Sequence, residues 1–310
     1  MSWSFSAGAL VLVAAFAGQS RMVQGGETLV RSLVVDGLAR SYRVYVPSSV
    51  NSDEAAPVIL AFHAFAMNAQ GLQRLIELDV LAERKGFLVA YPNGTGSTSL
   101  FLTFNAGGIA PPFDTGLPDD VEFTRRLLDD LASIAALDNR RIFAVGYSNG
   151  GMMCYRLAAQ FSDRIAAIAS IAGTQAVEFP PPPRPVPICH FHGSEDGIVP
   201  PSGPAPGTPP FISFLTLDET VAIWRGINGC TAAGVTERLP NTALDRTLVV
   251  RTSYGGCVTS SEIVVHRILG GGHTWPGTKL PNNPVTGRTS KDISANEILW
   301  DFFRRHPLEE

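Results

Sequence analysis

The chain has 310 residues, of which 45% are hydrophobic and 17% charged, and it carries a formal net charge of −4. This composition is typical of a folded protein with a large core and excludes a disordered chain. The sequence has no basic block and no run of about 18 apolar residues, so neither nucleic acid nor a membrane span is expected.

The N-terminus resembles an export signal. Residues 7–18 read AGALVLVAAFAG and end near Ala15-Phe16-Ala17, an A-x-A-like cleavage site. We therefore expect residues 1–25 to be a signal peptide or leader, with a disordered leader as the alternative. Residues 26–310 are expected to form a single domain, secreted to the periplasm or the cell exterior.

Strand and helix patterns follow in alternation. Two β-type segments, residues 29–35 and 41–46, are separated by an Asp36-Gly37 turn. Further strands are predicted at residues 58–62, 87–91, 141–145, 165–171, 187–191, 247–252 and 263–269. Helices are predicted at residues 72–85, 119–134, 152–161 and 217–227, and after Ser294, which forms a capping box with Glu297. This order predicts an α/β fold with a mostly parallel central sheet and helices on both faces.

One short motif carries the chemistry. Gly146-Tyr147-Ser148-Asn149-Gly150 is a G-x-S-x-G sequence between a predicted strand and a predicted helix. In that context the motif forms a nucleophile elbow, a sharp turn that exposes the serine at the edge of the sheet. Ser148 is therefore the predicted nucleophile.

A serine nucleophile needs a histidine base, and in this arrangement the base comes last in the chain. His273 follows three glycines after the last predicted strand, where a loop leaves the carboxyl edge of the sheet. His266 lies within a strand pattern and His306 lies near the C-terminus. His273 is the predicted base.

The third member of a triad is a carboxylate between the serine and the histidine. Asp196 follows the strand predicted to end at Phe191, and its neighbour Glu195 is the alternative. Asp218 is instead assigned to capping of the next helix. Asp196 is the predicted acid.

Backbone amides are predicted to form the oxyanion hole. Asn149, directly after the nucleophile, supplies one donor, and Phe65, in the loop after residues 58–62, supplies the other, with Ala64 as the alternative. His63 is interpreted as a structural anchor of that loop. A substrate pocket is expected to include Tyr147, Trp275 and Phe104, with Phe101 and Phe113 as further aromatic candidates and ordinary core or loop packing as the alternative. No cofactor is expected.

The four cysteines fall into two kinds of context. Cys154 and Cys189 lie in apolar segments and are interpreted as buried thiols. Cys230 and Cys257 lie in polar loops, and in an exported protein they are expected to form a disulfide, with two reduced thiols as the alternative. The cysteine and histidine spacing does not indicate a metal site.

Several segments in the same order resemble those of one enzyme family. They are DDVEF at 119–123, GYSNGGMM at 146–153, HGSEDGIVP at 192–200, ETVAIW and NGC at 219–230, and GGGHTWPG at 270–277. They are similar to secreted esterases of the polyhydroxybutyrate depolymerase and feruloyl esterase type, of the carbohydrate esterase family 1 kind. The resemblance implies an α/β-hydrolase fold, an extracellular carboxylic ester hydrolase, and Ser148, Asp196 and His273 as its triad.

Two positions differ from the pattern of that family. Ala64 follows His63 where relatives usually have glycine, and the segment 104–110 lacks the usual Trp-Asn pair and cysteines. The expected function is hydrolysis of soluble esters with short-chain acyl, hydroxyalkanoate-oligomer or feruloyl groups, by a monomer. The alternatives are acyl transfer by the same triad and a non-catalytic secreted binding protein on the same scaffold.

Overall fold

Ten strands form one sheet in the computed structural model, which describes residues 26–50, 54–109 and 116–309. The predicted leader at residues 1–25 lies outside the described residues. The strands are β1 (Glu27–Val35), β2 (Leu38–Val46), β3 (Ala56–Phe62), β4 (Leu88–Pro92), β5 (Leu137–Tyr147), β6 (Ala167–Ile171), β7 (Ile188–Gly193), β8 (Val235–Arg238), β9 (Leu248–Tyr254) and β10 (Ile263–Leu269).

The centre of the sheet is parallel and its edges are antiparallel. The spatial order is β1-β2-β4-β3-β5-β6-β7-β10-β9-β8. All neighbours from β4 to β10 in that order are parallel, whereas β1, β2, β9 and β8 pair antiparallel. The fold class predicted from the alternation of strands and helices is therefore confirmed.

Helices cover both faces of the sheet. They are α1 (Ala69–Ile76), α2 (Leu78–Lys85), α3 (Asp120–Leu131), α4 (Asn149–Gln160), α5 (Leu217–Ile227) and α6 (Ala295–Phe303). The apolar residues of α3, α4 and α5 join the core on one face, and those of α1, α2 and α6 join the core on the other. Successive residues of β3 alternate between the two cores, as a strand buried on both faces requires.

The helix predicted over residues 72–85 is two helices. Glu77 separates them and has the left-handed backbone angles φ 49° and ψ 34°. Ile76 and Leu78 are 2% and 0% exposed. Residues two apart do not share a face of one straight helix, so the break lets both side chains reach the core.

Cys230 and Cys257 form a disulfide, and Cys154 and Cys189 are buried free thiols. The bridge joins the loop after α5 to the loop after β9, and it encloses the antiparallel edge strands β8 and β9. It therefore closes a covalent loop around the edge of the sheet.

Removal of this disulfide is expected to lower the free energy of unfolding. The two cysteines are 27 residues apart, and the entropy of closing such a loop corresponds to about 3.5 kcal/mol. Urea denaturation of the Cys230→Ser/Cys257→Ser variant measures the loss. Wild type treated with a reductant should move to the midpoint of the variant, and the variant should not move further. Equal midpoints for untreated wild type and variant would contradict the expectation.

The loops after β5, β7 and β10 meet at one edge of the sheet. These three strands run parallel to one another through β6, so their carboxyl ends lie on the same side. Ser148, Asp196 and His273 follow them. In the part of the chain described, no helix has the length and apolar character needed to cross a membrane.

Candidate active site

Ser148 occupies a sharp turn between a strand and a helix. β5 ends at Tyr147 and α4 begins at Asn149, and Ser148 between them has φ 56° and ψ −118°. Backbone angles of this kind are strained for a residue with a side chain and occur at functional sites. The Ser148 N–H donates to the carbonyl of Ile171 in β6 at 2.8 Å, which fixes the turn to the neighbouring strand.

The two glycines of the motif allow close backbone contacts. A Cβ at Gly146 would lie 2.0 Å from the carbonyl oxygen of Gly150. A Cβ at Gly150 would lie 2.2 Å from the carbonyl oxygen of Phe62, at the end of β3. Any side chain at either position would therefore push the helix away from the sheet, as expected of a nucleophile elbow.

Asp196 lies in a tight turn after β7, and both oxygens of its carboxylate are hydrogen-bonded. Oδ1 accepts the N–H groups of Ile198 and Val199 at 2.9 and 2.8 Å, and Oδ2 lies 2.7 Å from Nδ1 of His273. Burial raises the pKa of Asp196, but the hydrogen bonds from His192 and His273 outweigh it and hold this pKa below its ordinary value. The carboxylate is thus an anion fixed against an imidazole.

The alternative carboxylates are held elsewhere. Glu195 is exposed, and its carboxylate pairs with Arg288 at 2.7 Å. Asp218 pairs with Arg267, and it is not the helix cap that the sequence predicted. Thr216 caps α5 and forms a capping box with Glu219.

His273 lies beside Tyr147, the residue before Ser148. Its ring stacks on the ring of Tyr147 at 5.2 Å, and the Tyr147 hydroxyl donates to its carbonyl oxygen at 2.7 Å. Because Nδ1 faces Asp196, Nε2 is the nitrogen left to accept a proton. His266 lies within β10 against Phe191, and His306 pairs with Glu262 at 2.9 Å, so neither contacts Asp196.

The two predicted oxyanion donors are unpaired amides. Within the described ranges, neither the Asn149 N–H nor the Phe65 N–H has a hydrogen-bond acceptor. The loop that carries Phe65 is held by a bond from the Ala66 N–H to the carbonyl of Leu102 at 3.0 Å. The Ala64 N–H also lacks an acceptor there, so the alternative donor stays open.

His63 anchors this loop. The Gly94 N–H donates to Nε2 of His63 at 3.0 Å, and Nδ1 therefore carries the hydrogen and donates to the carbonyl of Ala64 at 2.8 Å. Burial lowers the pKa of His63 to about 4. A neutral imidazole with both ring nitrogens hydrogen-bonded fits the structural role that the sequence predicted.

The three predicted pocket residues are buried side chains. Trp275 and Phe104 are 0% and 1% exposed, and Tyr147 is 4% exposed. The Trp275 ring N–H donates to Asn296, and Phe104 packs edge-on against Phe62. Little of their surface is exposed, and their contact with substrate stays a prediction.

Two aromatic side chains of the neighbouring loops are exposed. Phe65 and Phe101 are 70% and 61% exposed. The backbone bridge between Met67 and Leu102 holds their two loops together. The sequence singled out Phe65 only for its amide, because exposure of a loop side chain has no signature in a single sequence.

The side chain of Asn149 makes hydrogen bonds that the motif did not indicate. Its Oδ1 accepts the Phe104 N–H at 2.8 Å and the Thr103 hydroxyl at 3.1 Å, and its Nδ2 donates to the Phe104 carbonyl at 3.1 Å. This amide clamp, Asn149 on the backbone of Phe104, ties the long loop after β4 to the nucleophile elbow.

Comparison with known protein families supplies a match over more than half the chain. A family model described as the alpha/beta hydrolase fold matches residues 8–188. NocK of Nocardia uniformis subsp. tsuyamanensis, a protein provisionally named an esterase, is 31% identical over 309 residues, which cover 92% of this chain and 85% of NocK. Feruloyl esterase B of Piromyces equi is 30% identical over 243 residues, which cover 76% of this chain and 42% of that enzyme.

Solved structures share the architecture. The acetyl xylan esterase from Aspergillus awamori superposes with a TM-score of 0.59 at 17% identity, covering 89% of this chain and 99% of the other. An S-formylglutathione hydrolase from Agrobacterium tumefaciens superposes with a TM-score of 0.52 at 12% identity, covering 82% and 91%. At these identities the likeness concerns the fold.

Proposed function

The chain belongs to the α/β-hydrolase fold family and is a carboxylic ester hydrolase, and from this premise we propose that Ser148, His273 and Asp196 are its catalytic triad. One observation carries the proposal. The Asp196 carboxylate lies 2.7 Å from His273, whose ring stacks on Tyr147, the residue before a serine with φ 56°. This arrangement at one edge of the sheet supports the proposed triad.

The proposed reaction is acyl transfer in two steps. The Ser148 hydroxyl attacks the ester carbonyl while Nε2 of His273 takes its proton, and Asp196 stabilises the imidazolium. The tetrahedral intermediate collapses as His273 returns the proton to the leaving alcohol. Water activated by His273 then releases the acid from the acyl-enzyme. The amides of Asn149 and Phe65 hold the oxyanion in both steps.

The proposed substrates are soluble esters with short-chain acyl, hydroxyalkanoate-oligomer or feruloyl groups. The names of relatives, which include feruloyl esterases and acetylxylan esterases, support short acyl and feruloyl groups. The exposed rings of Phe65 and Phe101 offer apolar surface beside the proposed oxyanion hole. We further propose that residues 26–310 form one catalytic domain of an exported monomer, and the disulfide supports export.

Turnover of a graded ester series tests this function. Purified protein is assayed on p-nitrophenyl esters of increasing chain length, methyl ferulate and acetylated xylo-oligosaccharides, before and after treatment with a fluorophosphonate. We expect hydrolysis of at least one class and its complete loss after serine labelling. Absence of both turnover and labelling would overturn the proposal, and the preferred ester identifies the acyl group.

A further inference from the structure

A line of buried polar side chains runs through the core to Asp196. The Tyr155 hydroxyl lies 2.8 Å from Nδ1 of His190, and Nε2 of His190 lies 3.0 Å from Nδ1 of His192. Nε2 of His192 lies 2.7 Å from the carbonyl oxygen of Val199 and 3.4 Å from Oδ2 of Asp196. The line therefore joins α4 to the acid turn through two residues of β7.

Hydrogen-bonding chemistry fixes the direction of this line. The carbonyl oxygen of Val199 can only accept, so Nε2 of His192 carries the hydrogen. Nδ1 of His192 must then accept from Nε2 of His190, and Nδ1 of His190 accepts from the Tyr155 hydroxyl. In this arrangement each hydrogen bond points toward Asp196.

The surroundings keep His190 neutral. Burial lowers the pKa of His190 well below its ordinary value, and the positive charge of the nearby Arg267 acts in the same direction. Since His190 stays neutral, it offers one donor and one acceptor, which are both used along the line. The orientation of the His192 ring is thereby determined from within the core.

We propose that His192 is a positioning residue for Asp196, so that its Nε2–H holds both the acid turn and the carboxylate oxygen that faces His273. The inference rests on the proposed triad. Val199 donates its N–H to Oδ1 of Asp196 and receives the Nε2–H of His192 on its carbonyl. His192 thus anchors the residue that anchors Asp196, and also lies within 3.4 Å of Oδ2 itself.

A donor at this place also changes the carboxylate electronically. The Nε2–H of His192 stabilises the Asp196 anion and reduces its attraction for the proton on His273. Without that donor, the carboxylate holds a protonated His273 more firmly. The acidic limb of the pH–rate profile, where His273 takes up a proton, should then move to higher pH. If the substitution only destabilised the fold, the fraction of active protein would fall and the acidic limb of the pH–rate profile would stay at the same pH.

Two variants whose side chains differ in length test the inference. His192→Gln places an amide N–H close to the position of Nε2, whereas the shorter His192→Asn does not reach Val199 or Asp196. We expect His192→Asn to lower kcat by about 10- to 100-fold, the range that one hydrogen bond to a charged group supports. KM should change by less than about twofold, and the acidic limb should move to higher pH. His192→Gln should recover most of kcat and the wild-type limb.

His266→Leu is the matched control. His266 is a buried histidine of the neighbouring strand β10 and stacks on Phe191, but it does not contact Asp196. This variant should keep the wild-type kcat and pH profile. The inference would be overturned if His192→Asn had the kcat of wild type and an acidic limb at the same pH. It would also be overturned if the kcat of His192→Gln were no higher than that of His192→Asn.

A spectroscopic readout separates this inference from the proposed function. The proton shared by His273 Nδ1 and Asp196 gives a low-field proton NMR signal that requires no substrate. We expect His192→Asn to shift this signal and His266→Leu to leave it in place. A shifted signal in a protein that hydrolyses no ester would support the positioning role and contradict the hydrolase, whereas an unmoved signal would contradict the positioning role.

Discussion

Replacement of Ser148 by alanine should lower kcat for ester hydrolysis by about five orders of magnitude. In the proposed mechanism the Ser148 hydroxyl oxygen forms the acyl-enzyme, and no neighbouring side chain on the elbow can replace it. KM should change little, because the oxyanion amides of Asn149 and Phe65 do not depend on the hydroxyl. Steady-state kinetics on the best p-nitrophenyl ester measure the loss, and fluorophosphonate labelling should vanish with it.

Ser162→Ala is the control for this experiment. Ser162 is buried, and in the described part of the chain its hydroxyl has no hydrogen-bond partner. Its removal leaves no polar group unsatisfied, so kcat and the unfolding midpoint should both match wild type. A Ser148→Ala protein that folds and retains kcat within tenfold of wild type would mean that another residue carries the reaction.

Asp196→Asn should lower kcat by about four orders of magnitude, as in other triads where the acid becomes an amide. The environment dictates how the new amide is oriented. The N–H groups of Ile198 and Val199 both point at Oδ1 and require an acceptor there, so the amide nitrogen faces His273. His273 must then accept at Nδ1 and carry its hydrogen on Nε2, where it cannot receive the proton of Ser148.

Glu195→Gln is the matched control, since the same chemical change is made one residue earlier. The Glu195 carboxylate is 60% exposed and pairs with Arg288 at 2.7 Å, and exposed pairs of this kind contribute about 1 kcal/mol or less. We expect kcat within about twofold of wild type. If Glu195→Gln were the inactive variant and Asp196→Asn the active one, the assignment of the acid would be wrong.

The central sheet and the candidate triad were accessible from the sequence because both depend on local signals. Fully apolar segments followed by amphipathic helices identify parallel strands, and the loops after such strands must meet at one edge. The predicted bounds of α5 and β10 agree with the structure. Adjacent carboxylates have no local signal to distinguish them, so the sequence alone leaves Glu195 as an alternative. Only their contacts differ, since Glu195 pairs with Arg288 and Asp196 with His273.

Other features depend on contacts that a single sequence does not contain. β8 was missed because all four of its residues are exposed, which leaves no alternation of apolar and polar side chains to detect. Phe104 and Trp275 were placed in a pocket because an aromatic ring in a loop predicts either contact with ligand or burial. The hydrogen bonds of His192 were not predicted, since they depend on how strand β7 faces the turn that follows it.

The amide clamp of Asn149 on Phe104 has a consequence for protein engineering. The loop after β4 is fastened by a residue that belongs to the elbow and lies 45 positions away in the chain. A chimaera that receives only this loop from a relative does not receive the side chain after the serine, which makes the hydrogen bonds that hold the loop. Asn149 and the loop backbone that it binds therefore depend on each other, and chimaeras should exchange both segments together.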